Sequence, residues 1–228
     1  MPSIALVTIG QAPRDDLAAP ILQALPADVQ VRQYGLLDGL TAEEVVRRFT
    51  PKDRGFPLVT QLAGAQEVLV DGQAISRMLQ AMVERLDGLG VDAIVMLCTG
   101  TFDEARPSRA RLVQPDRVVP IRVAQFAGER QVGVIVPSAR QLEWRQQKWA
   151  GLQYEPRYAS ASPYGPVAAV CEAARSLGER GAEMIVLDCM GYGARHREMV
   201  EAETGLPVLV SAELVAESLP PGLSRLSR

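Results

Sequence analysis

Gly90-Val91-Asp92-Ala93-Ile94-Val95-Met96-Leu97-Cys98-Thr99-Gly100 aligns without a gap on Gly181-Ala182-Glu183-Met184-Ile185-Val186-Leu187-Asp188-Cys189-Met190-Gly191. In both stretches a glycine precedes an apolar strand-sized run, and the run ends in a cysteine with glycine two residues later. Each reads as a strand that delivers a thiol to the carboxyl edge of a parallel sheet, where open α/β folds place their ligands.

Working outward, strand and helix signals alternate. Ile4–Ile9 and Val29–Tyr34 read as strands, with a helix over Asp15–Leu25 between them. Thr41-Ala42-Glu43-Glu44 has the form of a capped helix start, Thr41 as N-cap and Glu44 at the capping-box position. Leu58-Val59-Thr60 and Glu67-Val68-Leu69-Val70 carry strand signals, with Asp71-Gly72 as a candidate hairpin turn. Ile75, Met78, Leu79, Met82, Val83 and Leu86 form one stripe at helical spacing.

In the second half, Val118–Val123 is a short run broken by Pro120, and Gln131–Val136 is a strand that mirrors Ile4–Ile9. Helices are expected over Ala139–Leu152, Pro163–Gly178, Arg195–Glu203 and Ser211–Leu219, with a strand at Val208–Val210. This alternation implies βαβ units and parallel sheets. The expected architecture is α/β with two similar lobes. The first covers 1–120 plus 206–228 and holds Cys98; the second covers 121–205 and holds Cys189. A cleft between them would carry one cysteine on each wall.

With 228 residues, 47% hydrophobic and 22% charged, the composition is that of an ordinary globular protein, and the net charge of −3 comes without a basic run. Nucleic acid and anionic membranes are therefore not expected partners. The opening Met1-Pro2-Ser3 leads straight into a strand and lacks a signal-peptide pattern, and the apolar runs are too short for a bilayer. The three cysteines are expected to be free thiols in a cytoplasmic protein. Self-association into a homo-oligomer stays open.

Cysteine often only fills space, and Cys171, on a predicted helix beside Val170 and Ala173, reads that way. Cys98 and Cys189 differ because each falls where an apolar run gives way to a glycine turn. A thiol titrates near pH ~8.5, and lower where backbone N–H groups stabilise the thiolate, so it suits proton transfer near neutrality. The segments Thr99-Gly100-Thr101 and Met190-Gly191-Tyr192 would supply such N–H groups, and would hold a substrate carboxylate or a forming enediolate.

Further candidates leave the opening strands at the same edge: Gly10, Gln11 and Arg14 after the first, Pro137 and Ser138 after the second. Arg14 would clamp a carboxylate, or pair with Asp15 or Asp16. Ser138 is also a natural N-cap. Arg106 and Arg109 are further anion-ligand candidates, and His196 reads as a polar helix-face residue near the site. With one histidine and no paired Cys or His spacing, neither a metal nor a cofactor is expected.

Thr8-Ile9-Gly10-Gln11-Ala12-Pro13-Arg14-Asp15, Gly133-Val134-Ile135-Val136-Pro137, Gln147-Lys148-Trp149 and Leu187-Asp188-Cys189-Met190-Gly191-Tyr192 together resemble the AroM family. More distantly, a cysteine after a strand in each half is similar to the aspartate/glutamate racemase superfamily, which includes hydantoin racemases, maleate isomerases and arylmalonate decarboxylases. The resemblance implies cofactor-independent chemistry at a carbon next to a carboxylate or amide carbonyl, with Cys98 and Cys189 acting on opposite faces. It implies a racemase or epimerase first. A cysteine-dependent decarboxylase or cis–trans isomerase, or a non-catalytic binder of small carboxylates, are the alternatives. Amino-acid racemases of that group follow their cysteines with Asn-Thr and Thr-His. Thr99-Gly100 and Met190-Gly191 depart from that pattern and argue against aspartate or glutamate as substrate.

Overall fold

The computed structural model describes residues 1–52, 55–142 and 147–219. The chain divides into two compact units, Met1–Pro115 with Leu219, and Asp116–Ser218.

The first unit holds β1 (Ser3–Thr8), α1 (Asp15–Ala24), β2 (Gln30–Gly35), α2 (Ala42–Phe49), β3 (Pro57–Gln61), β4 (Glu67–Asp71), α3 (Gly72–Gly88), β5 (Ala93–Met96) and β6 (Arg111–Val113). Its parallel sheet runs β2-β1-β5-β6. Ile4–Val7 and Ala93–Met96 lie fully buried within it, as expected of strands covered on both faces. On α3 the buried residues Ile75, Leu79, Val83 and Leu86 recur at helical spacing and turn one face to the core. At α2 the expected capping box is present: Thr41 Oγ1 accepts the Glu44 N–H at 3.2 Å, and Glu44 accepts the Thr41 N–H at 2.9 Å.

The second unit holds α4 (Pro115–Ala127), which starts at the boundary, then β7 (Val132–Val136), β8 (Arg157–Ser160), α5 (Val167–Glu179), β9 (Met184–Leu187), α6 (Ala194–Thr204), β10 (Val208–Val210) and α7 (Ser211–Glu217). Its parallel sheet runs β10-β9-β7-β8. Read from the opposite edge this is the order of the first sheet: second strand, opening strand, cysteine strand, last strand.

Hydrogen bonds fix the correspondence residue by residue. Leu97 N–H donates to Val7 O at 2.8 Å, as Asp188 N–H does to Ile135 O at 2.9 Å; Leu36 N–H meets Thr8 O at 3.0 Å, as Ala161 N–H meets Val136 O at 3.0 Å. Even the strand starts agree, since Asp92 accepts the Ser3 N–H and Glu183 accepts the Gln131 N–H, each at 2.8 Å. Leu97 thus corresponds to Asp188, Cys98 to Cys189 and Gly10 to Ser138.

Several expectations need correction. Residues 206–218, expected in the first lobe, belong to the second unit: β10 extends its sheet along β9, and the Ser211 hydroxyl donates to Leu187 O at 3.0 Å. Asp71-Gly72 is not a hairpin turn. The β3–β4 connection spans 62–66, and Asp71 caps α3 by accepting the Ala74 N–H at 2.9 Å. The run around Pro120 lies inside α4, because its buried residues Val119, Val123 and Ala127 recur every four positions. In place of one helix over 139–152, the described residues form short 3₁₀ turns at Ala139–Gln141 and Gln147–Trp149; Trp144 lies outside the described residues.

Candidate functional site

Both thiols stand where their strands end at the carboxyl edge, each half-buried. The loop after each strand turns back so that the glycine two residues on donates its N–H to the sulfur. Gly100 N–H reaches Cys98 Sγ at 3.4 Å, and Gly191 N–H reaches Cys189 Sγ at 3.4 Å. An N–H aimed at sulfur favours negative charge there.

Glycine is needed at both positions because of what lies against it. A β-carbon on Gly100 would come within 2.9 Å of Leu58 Cδ2 and 3.3 Å of Phe102 Cζ; one on Gly191 would come within 2.9 Å of Pro163 Cγ and 3.0 Å of the Tyr164 hydroxyl. The cover thus comes from β3 in the first unit and from the loop after β8 in the second.

Around Cys189 the loop is tied down by its own residues. Met190 and Tyr192 are buried, and the Tyr192 hydroxyl donates to Ala161 O at 2.5 Å. The His196 ring meets the Tyr192 ring edge-on with centroids 5.4 Å apart, and His196 Nδ1 accepts the Gly193 N–H at 3.2 Å. That acceptor role fixes the neutral imidazole with its proton on Nε2. Burial holds His196 below the usual histidine range, only partly offset by the Pro163 carbonyl beside it.

Directly before the thiol, Asp188 pairs with Lys148 Nζ at 2.5 Å, both side chains buried. Lys148 arrives from the turn that carries buried Trp149, whose ring lies 5.1 Å from the ammonium.

Around Cys98, Thr99 is buried and Thr101 exposed. The following loop is anchored by Asp87, which accepts the N–H groups of Ser108, Arg109 and Ala110 at 3.0, 2.9 and 2.6 Å. Those donors, Ala110 foremost, hold the Asp87 carboxyl below its ordinary range. The side chains of Arg106 and Arg109 are exposed.

Other sequence candidates have structural work. The Gln11 amide is committed on both ends: Nε2 donates to Leu37 O at 3.1 Å and Leu40 O at 2.7 Å, and Oε1 accepts the Ala63 N–H at 2.7 Å. Arg14 is buried and holds Asp16 in bidentate fashion at 2.8 and 2.6 Å. Burial alone would raise the Asp16 carboxyl, and the guanidinium reverses this, leaving it lowered. Gly10 gives β3 room, since a β-carbon there would lie 2.3 Å from Gln61 O. Pro137 is buried, and Ser138 caps the first 3₁₀ turn by accepting the Arg140 N–H at 3.3 Å. Cys171 is buried on α5, and burial pushes its thiol up.

The structure adds three groups that sequence reading passed over: Tyr164, the Leu58 cover of Gly100, and the Lys148–Asp188 pair. The last had a visible signal, because Asp188 is a charge at the end of an apolar run whose counterpart is Leu97. Among the described residues no group of His, Cys, Asp and Glu is arranged to hold a metal ion, and no helix is long and apolar enough to cross a membrane.

Solved structures with the same fold include an allantoin racemase from Klebsiella pneumoniae (TM-score 0.63, 14% identity, 95% of this chain and 85% of that one). Unliganded arylmalonate decarboxylase follows at TM-score 0.58 and 14% identity over 99% and 92% of the chains. A glutamate racemase isoform from Bacillus anthracis gives TM-score 0.61 and 14% identity over 99% and 83%. No curated protein is significantly similar in sequence. The AroM protein family model matches residues 4–220, and the chain belongs to the AroM family.

Proposed function

We propose that this protein is a cofactor-independent racemase or epimerase of a small carboxylate or cyclic amide, with Cys98 and Cys189 as its two bases. One thiolate removes the proton from the carbon beside the carbonyl, leaving an enediolate or enolate. The other thiol delivers its proton to the opposite face and becomes the thiolate. Base and acid have exchanged roles, and the reverse turnover restores them. The observation that carries this reading is the repeated geometry of the thiols: each ends the third-built strand of an equivalent sheet, and each accepts the N–H of a glycine two residues on. The substrate carboxylate or carbonyl is held beside the loops 99–101 and 190–192, where Gly100 and Gly191 keep their N–H groups on the sulfurs.

The test is a panel of chiral 2-substituted carboxylates and cyclic amides incubated in deuterated water and read by NMR. At least one should exchange its α-hydrogen, and Cys98→Ser and Cys189→Ser should each abolish racemisation. Ligand-dependent thermal stabilisation without exchange for any compound would instead mark a binding protein.

The inequality of the thiol surroundings favours one further reading. Asp188 and Lys148 flank Cys189, whereas Leu97 stands before Cys98. A decarboxylase needs one such thiol: carbon dioxide leaves a malonate-type substrate, Cys189 protonates the resulting carbanion, and solvent reprotonates the thiolate. Carbon dioxide release that survives Cys98→Ser would select this reading.

A further inference from the structure

The glycines that donate to the two sulfurs are equivalent, yet what lies against them is not. Gly100 is faced by Leu58 and Phe102, both buried hydrocarbon. Gly191 is faced by Pro163 and by the hydroxyl of Tyr164, which lies 3.0 Å from where a β-carbon would stand. The residue before each thiol repeats the contrast, Leu97 against the Asp188 carboxylate with its Lys148 ammonium. A hydroxyl, beside the Pro163 ring, and an ion pair thus stand near Cys189 where the groups against Gly100 and the residue before Cys98 are hydrocarbon. Tyr164 is half-buried, on a loop held in place by the Ser162 hydroxyl, which accepts the Tyr164 N–H at 3.1 Å, and by the Tyr192–Ala161 bond.

We infer that Tyr164 determines specificity on the Cys189 side, its hydroxyl donating a hydrogen bond to the carboxylate of the substrate, so that the anionic end of the substrate is bound over the Cys189 loop. The inference rests on the reading of Cys189 as a site thiol. It does not need turnover, so it is tested apart from that reading.

Iodoacetate and iodoacetamide are nearly the same size, and both form a carbon–sulfur bond with a thiolate as iodide leaves. Only the first carries a carboxylate. Their rates at Cys98, Cys171 and Cys189 are to be followed peptide by peptide by mass spectrometry on the full chain. The iodoacetate-to-iodoacetamide rate ratio should be highest at Cys189. Tyr164→Phe keeps the ring and removes the hydroxyl, and it should lower that ratio about tenfold, in keeping with a hydrogen bond to a charged group. The ratios at Cys98 and Cys171 should not move. Gly191→Ala, which pushes a methyl toward the hydroxyl, should lower the Cys189 ratio as well. An equal ratio at Cys98 and Cys189, a Cys189 ratio unchanged by Tyr164→Phe, or a Cys189 closed to both reagents would overturn the inference. Loss of α-hydrogen exchange with the alkylation pattern intact would overturn the two-base reading alone.

Discussion

The Cys98 unit and the Cys189 unit are built on one plan and finished differently. Their sheets share strand order, the same main-chain bonds at the ends of the opening and cysteine strands, and the same glycine N–H on sulfur. What differs is the dressing of the carboxyl edge. In the first unit the β3–β4 hairpin lays Leu58 on Gly100 and Gln61 against Gly10. In the second, Ser138 occupies the position of Gly10, and the edge carries Tyr164, a buried Lys148–Asp188 pair and the His196 ring. Strand topology secures the thiols, while Asp188 within the repeat and residues outside it, such as Leu58, Lys148 and Tyr164, set the environment of each one.

The largest effect is expected where the units differ by a charge. Lys148→Met leaves the Asp188 carboxylate buried without its ammonium and should cost about 3–5 kcal/mol in urea unfolding. Lys148→Met with Asp188→Leu copies the Leu97 arrangement and should recover most of that loss. A double variant as unstable as the single one would break the equivalence of Leu97 and Asp188.

Next comes Gly10→Ala, whose methyl would stand 2.3 Å from the Gln61 carbonyl and 2.4 Å from the Thr60 hydroxyl. Backbone cannot swing aside as a side chain can, so a loss of about 1–3 kcal/mol by the same measurement is expected. Ser138→Ala, at the matching position, removes only a cap on a short turn and should cost under about 1 kcal/mol. Equal losses would show that the hairpin does not seat on Gly10.

A smaller loss, about 1–2 kcal/mol, should follow Tyr192→Phe, which leaves the buried Ala161 carbonyl without its hydroxyl donor.

The finest distinction is in pH. Because burial holds His196 below its ordinary range, the unfolded chain binds a proton there before the folded one does. Stability from this residue is present above pH ~6.5 and is lost as pH falls from there through the lowered folded value. His196→Gln should flatten the stability profile below about pH 6.5. A mutant profile with the same slope would remove His196 from the account.

Much of this plan was legible in the chain, for physical reasons. Fully buried parallel strands must be apolar throughout, so β1, β5, β7 and β9 stand out, and a capping box is a local code that Thr41 and Glu44 carry unaided. Edge strands carry weaker marks. β6 has three residues and β8 mixes Arg157 and Ser160 with partly exposed neighbours, so neither yields an apolar run. The helix around Pro120 shows its four-residue spacing only once burial reveals that Val119, Val123 and Ala127 face inward.

Within the site, the two cysteines and their glycines are readable because they repeat. The Arg14–Asp16 pair is local and was among the readings of the sequence, whereas the partners of Gln11, the carbonyls of Leu37 and Leu40, lie far along the chain. Lys148 and Tyr164 owe their importance to contacts with Asp188 and Gly191 across tens of residues, which no local spacing encodes.

On the proposed mechanism two equivalent thiols work on opposite faces of one carbon. That mechanism is tested most directly by where solvent deuterium appears when a single enantiomer of an active substrate reacts in deuterated water. Two bases predict deuterium at the α-carbon of the newly formed enantiomer, while the starting enantiomer stays undeuterated at early times. Deuterium entering both enantiomers at the same rate from the start would mean a single base and would contradict the account.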